Sequence, residues 1–175
     1  MASVAIVEIA EYHSDVVSSL KLYFSAASPS FNTRFFGRNS TEVSVALTTR
    51  LEETDLRSAF FVLASLEGAF RRDYEYRCQT KMKDDLSRAF RAIYKYRGTR
   101  VSLDDDIFQA WRENSTASRQ LIGDLRGAFN FRHWLAHGRY WEPRLGRKYD
   151  FNFVYSLADS VLSAFPLCPP ANEVA

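Results

Sequence analysis

Apolar residues that return every three or four positions, and nowhere in sustained alternation, constrain this chain more than any other feature. Leu56, Ala59, Phe60, Leu63, Leu66, Ala69 and Phe70 fall at that spacing, which lays a core stripe along one side of a helix. Ile9, Tyr12, Val16, Leu20 and Tyr23 repeat the pattern near the start. Leu121, Leu125, Phe129 and Leu135, then Phe153, Leu157, Val161 and Phe165, repeat it near the end. A half-buried strand needs a period of two, and no stretch sustains one. The expected fold is an all-α bundle of about five to six helices.

Local signals place the boundaries. Ser28-Pro29-Ser30 closes a first helical stretch from Ser3 to Ala27, and a loop with Gly37 and Asn39 follows. Ser40 or Thr41 is suited to cap a second helix running to about Arg77, with a break near Thr54. A third, from about Lys81 to Tyr96, stops at Gly98. Ser102-Leu103-Asp104-Asp105 reads as a capping box for a short helix with Ile107, Phe108 and the core residue Trp111. Ser115 or Thr116 then opens a helix that ends at His137, where Gly138 is a natural residue for a left-handed turn. Asp150 caps the last helix, which Pro166, Pro169 and Pro170 terminate. A chain of 175 residues predicts one domain over 1–175, with its core from about 40 to 165 and a loose tail over 166–175.

Several classes are disfavoured at once. Cys78 and Cys168 make neither a disulfide framework nor a paired-cysteine zinc half-site. The amino terminus lacks the basic region of a signal peptide, and Glu8 and Glu11 interrupt its apolar run. No apolar run approaches the ~18 residues of a membrane span, so a soluble, cytoplasmic protein with no membrane association is expected. The formal net charge of +2 is unevenly spread. Arg71 to Arg100 carries ten basic and four acidic residues, and Arg126 to Lys148 carries six basic residues against Glu142. Two basic blocks on an otherwise acidic chain suit an anionic partner if the fold brings them together; the plainer alternative is two solvated faces.

The residues fit for chemistry concentrate in Asn130-Phe131-Arg132-His133-Trp134-Leu135-Ala136-His137-Gly138-Arg139-Tyr140-Trp141. A guanidinium grips a phosphate through two hydrogen bonds, and an imidazole exchanges protons near neutrality. Trp134, Tyr140 and Trp141 offer flat faces for an unpaired base. His133 and His137, four apart, share one side of a helix about 40° apart. His137 falls at a helix C-terminus, which favours a cation. Three readings of the pair stand together: a core hydrogen-bonder with a surface cap, a metal site lacking the glutamate of a His-Glu-x-x-His motif, and metal-free phosphodiester chemistry.

Arg132, four intervening residues and His137, with the polar His133 directly after the arginine, resemble the Rx4–6H motif of the HEPN (higher eukaryotes and prokaryotes nucleotide-binding) superfamily of small helical bundles. The motif's late position, the trailing Gly138 and the final helix fit as well. Leu66-Glu67-Gly68-Ala69-Phe70 resembles the acidic, small-residue helix that often precedes the motif. In one branch the motif continues to His-x-Tyr; Tyr140 lies three residues past His137 and is not its equivalent.

The resemblance implies a metal-independent endoribonuclease without cofactor, working as a homodimer across a shared cleft, in the manner of a toxin or antiviral or stress effector held by an antitoxin or other regulatory partner. His137 would be acid or base, Arg132 would hold the scissile phosphate, and His133 would orient either or bind RNA. Arg126, Arg139, Arg144, Arg147 and Lys148 would line the RNA approach by charge, with Trp134 and Tyr140 beside them. Glu67 would fix a motif side chain, or simply pair with Arg71 four residues on. The other reading is a catalytically silent HEPN module that binds RNA, nucleotide or a protein.

Overall fold

A computed structural model describes residues 5–168, so the expected helix start at Ser3, the expected stops at Pro169 and Pro170 and most of the tail lie outside the described residues. The expected all-α class holds, with seven α-helices rather than five or six and no strand among the described residues. They are α1 (Ile6–Tyr23), α2 (Phe31–Arg34), α3 (Ser40–Thr80), α4 (Asp85–Arg97), α5 (Gln109–Asn114), α6 (Arg119–Ala136) and α7 (Phe151–Ala164). A π-helical turn, Leu103–Phe108, runs straight into α5.

The spine is α3, whose 41 residues span about 60 Å. It does not break at Thr54. The Thr54 hydroxyl donates to the Arg50 carbonyl, 2.8 Å away, so its side chain is satisfied inside the helix rather than competing with it. The cap is Asn39, not Ser40 or Thr41. The Asn39 side chain accepts from the Glu42 N–H and the Glu42 carboxylate from the Asn39 N–H, both at 2.9 Å, a complete capping box. At the far end Lys81 turns left-handed with φ 53°, which delays α4 to Asp85 with Asp84 as its cap. The helix expected from Ser115 or Thr116 starts later as well, capped by Ser118.

Around this spine α1, α4, α6 and α7 pack so that one cluster of buried side chains draws on every element except α2. Ala59, Leu63, Leu66 and Phe70 of the expected stripe are its centre, joined by Trp111, Phe108, Ile122, Leu125, Val154 and Val161. Leu56, Phe60 and Ala69 of the stripe are only half-buried. A smaller cluster of Phe24, Phe35 and Val43 closes the amino-terminal end of α3. None of the described helices is long and apolar enough to cross a membrane.

One buried polar network joins three elements. Asp73 and Arg77, on the inward side of α3, are 0% and 5% exposed. Arg77 Nε donates to Asp73 Oδ1 at 2.6 Å and Nη2 to the Pro166 carbonyl at 2.7 Å. Nη1 reaches Asp84 and Ser87 of the α4 cap, each at 3.3 Å. The Cys168 N–H completes Asp73 Oδ1 at 2.9 Å. Such a network obeys the rule that buried charge is paired and hydrogen-bonded.

Candidate active site

The last turn of α6 and the bend after it carry the motif. The helix ends at Ala136, and His137 is its C-cap. Gly138 adopts φ 79°, as its place in the sequence suggests, and Arg139 follows at φ 56°. The Gly138 N–H bonds the Leu135 carbonyl at 3.4 Å and the Arg139 N–H bonds Trp134 at 3.2 Å. Together these form a Schellman turn, which leaves the His137 ring exposed at the carbonyl end of the helix. His133 is exposed too, and the two imidazole centroids lie 4.2 Å apart. The four-residue spacing therefore places both rings on one side, with the Trp141 ring 6.0 Å from His133.

Arg132 turns the other way, onto α3. Its Nη2 meets Glu67 Oε2 at 2.9 Å, and its guanidinium lies 5.4 Å from the Phe60 centroid. The other Glu67 oxygen accepts from Arg71 Nε, also at 2.9 Å. Both readings of Glu67 hold geometrically at once, since a carboxylate has two oxygens and each takes one guanidinium. The Arg132 Nε is buried without a hydrogen-bond partner, while the side chain as a whole is 31% exposed.

Among the basic residues expected to line an approach, several are engaged within the fold. Arg126 is half-buried and ties α6 to the π-helical turn, with Nε 2.7 Å from the Asp104 carboxylate and Nη2 donating to the Asp104 carbonyl and to Gln109. Arg139 grips Glu53 of α3 with both Nη nitrogens, at 2.6 and 3.2 Å. That bond holds the Glu53 carboxyl below its ordinary value and raises the Arg139 guanidinium further. Arg147 pairs with Asp124 at 3.3 Å and lies over Phe153, while Lys148 stands 4.0 Å from Asp150. Arg144 and Tyr140 are exposed, the latter at 82%. Trp134 is not an open platform: it stacks on Phe131, and its indole N–H donates to the Trp141 carbonyl at 2.8 Å.

Glu53 goes unmarked in the sequence reading, and Phe60 enters there only as part of the core stripe. With Glu67 they recur every seven residues along α3, which puts all three on one side of the helix; that spacing was the available signal. Also unforeseen is His13 on α1. Its Nδ1 lies 3.1 Å from Ser58 Oγ, its Nε2 lies 3.4 Å from Asp55, and its ring stacks on Phe151 at 3.8 Å. Burial lowers the His13 pKa, and burial raises that of Asp55. As for metals, no three His, Cys, Asp or Glu among the described residues are grouped to hold an ion. The chain matches no family model, and no curated protein or solved structure resembles it closely enough to register.

Proposed function

We propose that the chain is a metal-independent endoribonuclease of HEPN type, which cleaves RNA by attack of its own 2′-hydroxyl. The observation that carries this reading is the division of labour at the end of α6. Two imidazoles stand exposed and 4.2 Å apart, and the adjoining residue Arg132 carries a guanidinium held toward α3 by Glu67. Phosphodiester transesterification needs a proton acceptor, a proton donor and a cation against the phosphorane, and no activated water.

His137 takes the proton from the 2′-hydroxyl as the 2′-oxygen bonds to phosphorus. The P–O5′ bond breaks, and the departing 5′-oxygen receives a proton from a second imidazole. A homodimer supplies that imidazole as the partner's His137 across a two-fold axis; His133 positions one ring or contacts RNA. Arg132 stabilises charge on the non-bridging oxygens with the donors that Glu67 leaves open. The products are a 2′,3′-cyclic phosphate and a 5′-hydroxyl. Exposed Arg144, Arg147, Lys148 and Tyr140 extend the contact surface along the loop before α7. A toxin or an antiviral or stress effector, restrained by an antitoxin or another regulatory protein in the cytoplasm, is the setting that such an activity fits.

The test is incubation of the purified chain with end-labelled structured RNA in excess chelator, beside Arg132→Ala and His137→Ala. Cleavage by the wild type that leaves cyclic-phosphate ends, lost by more than ~100-fold in both variants, is the expected result. RNA binding without cleavage would assign the chain to a silent module, and equal cleavage by all three proteins would remove the site from these residues.

A further inference from the structure

One side of α3 faces Arg132; the next side round opens into a cleft against α1. That cleft encloses about 690 Å³, within the range of small-molecule sites. Its walls are Ile9, Tyr12 and Val16 of α1 and Phe61 of α3, and its floor is Ala64 and Gly68. Tyr12 and Phe61 are 70% and 60% exposed, so two aromatic side chains stand open where one apolar body could cover both.

Charge decides what kind of body. Arg57 and Arg72 both line the cleft. Unlike Arg71, Arg77, Arg126, Arg132 and Arg139, neither makes a hydrogen bond or ion pair among the described residues. Glu8 is the carboxylate on the same lining; Glu53, off the lining, lies close enough to feel the Arg57 charge, so Arg72 is the guanidinium that dominates inside the cleft. Arg72 is also placed: a Cβ on Gly68 would come within 3.2 Å of its Nη1. The guanidinium thus lies against Gly68, the lining residue without a side chain, beside apolar lining residues, and a charged hydrogen bond gains strength where solvation is poor.

We propose that the cleft between α1 and α3 is a binding site for a small amphipathic anion, with its apolar body on Tyr12, Val16 and Phe61 and its anionic group on Arg72 and Arg57. The site is separate from the histidine pair, and the proposal stands whether or not the chain cuts RNA. It does share a wall with the motif. Phe61 is edge-on to Phe60 at 6.0 Å, and Phe60 lies under Arg132.

The probe is anilinonaphthalene sulfonate, titrated by fluorescence into the folded full-length chain, beside N-phenylnaphthylamine, the same body without the sulfonate. Saturable binding at one site per chain is expected, about tenfold or more tighter for the sulfonate. Arg72→Gln should bring the sulfonate down toward the neutral dye and leave the neutral dye unchanged. Ala64→Trp, which fills the floor, should abolish both. Should that variant fail to fold, Gly68→Ala serves instead. A glycine inside a helix is destabilising, so the variant should melt higher yet bind the sulfonate a few-fold more weakly, because the new methyl displaces Arg72.

Absence of binding, equal affinity for the two dyes, or indifference to Arg72→Gln together with Arg57→Gln would overturn the proposal. Release of the dye as the chain self-associates at rising concentration would overturn it too, and would assign the cleft to a second copy of the chain.

Discussion

Replacing Arg77 with methionine should be among the most damaging single changes in this protein, and its cost should depend on pH in a calculable way. The substitution keeps an unbranched stem in the core but deletes the donors to Asp73, Asp84, Ser87 and the Pro166 carbonyl. Asp73, 0% exposed, then keeps the Cys168 N–H as its backbone donor. Removing one partner of a buried ion pair costs about 3–5 kcal/mol. The carboxyl can limit that loss by staying protonated. Burial already raises its pKa above the ordinary 3.8 even with Arg77 beside it. Holding a carboxyl of that ordinary value neutral at pH 7 costs about 4 kcal/mol, at ~1.36 kcal/mol per unit. At pH 5 the same step costs about 1.6 kcal/mol. Urea unfolding followed by far-ultraviolet circular dichroism should therefore show a loss near 4 kcal/mol at pH 7 that shrinks by roughly half or more at pH 5. The double variant Asp73→Leu/Arg77→Met should recover most of it, since an apolar pair of similar volume often replaces a buried ion pair without loss. A loss below about 1 kcal/mol, or one equal at both pH values, would refute the reasoning.

Two further outcomes follow from the packing around the motif and around α1. Gly127→Ala should destabilise the fold by about 1–3 kcal/mol in thermal unfolding. A Cβ there would collide with the hydroxyl of buried Tyr149, whose ring stacks on Phe131 at 5.3 Å just ahead of the motif; an unchanged melting temperature would show that Tyr149 yields freely. For His13, burial depresses the folded-state pKa below 6.5, so the folded chain binds fewer protons than the unfolded one near neutrality. Its contribution is complete above about pH 7 and is lost as pH falls through the unfolded value toward the folded one. The melting temperature should drop as pH falls from about 7 to about 5, and His13→Gln should flatten that slope; parallel slopes would exclude His13 as the source.

What could be read from the sequence was whatever a few neighbouring residues decide. The capping role of Asp150 and the left-handed Gly138 follow from side-chain chemistry within one turn, and both hold. Boundaries went astray where two local solutions compete. Asn39 takes the cap from Ser40 because Glu42 completes the reciprocal pair. After Ser102, the carboxylate that reaches back to its N–H is Asp106 rather than Asp105, at 2.8 Å. The extra residue fits a wider turn, in which the Ile107 N–H bonds the Ser102 carbonyl and the backbone becomes π-helical. Partners across the fold were out of reach altogether. Nothing local says that Arg139 meets Glu53, eighty-six residues away, or that His13 bridges Ser58 and Asp55.

The candidate site depends on α3 as much as on the helix that carries its motif. On α6 the motif spacing alone fixes the two imidazoles, because both project from one side of one helix. Arg132 is different: Glu67 and Phe60 set its direction, and Arg71 shares the same carboxylate. Seven residues beyond Arg132 in the chain, Arg139 pairs with Glu53, seven residues before Phe60 on α3. The two carboxylates lie fourteen residues apart on α3, about 21 Å along its axis, and ties so widely spaced hold the register between α3 and the end of α6. A slide of one helical turn, about 5.4 Å, would part Arg132 from Glu67 and leave that carboxylate with Arg71 alone. The imidazole pair would be untouched by such a slide. The arginine and the histidines can therefore be perturbed independently, through α3 in one case and through α6 in the other, although six consecutive positions hold all three in the sequence.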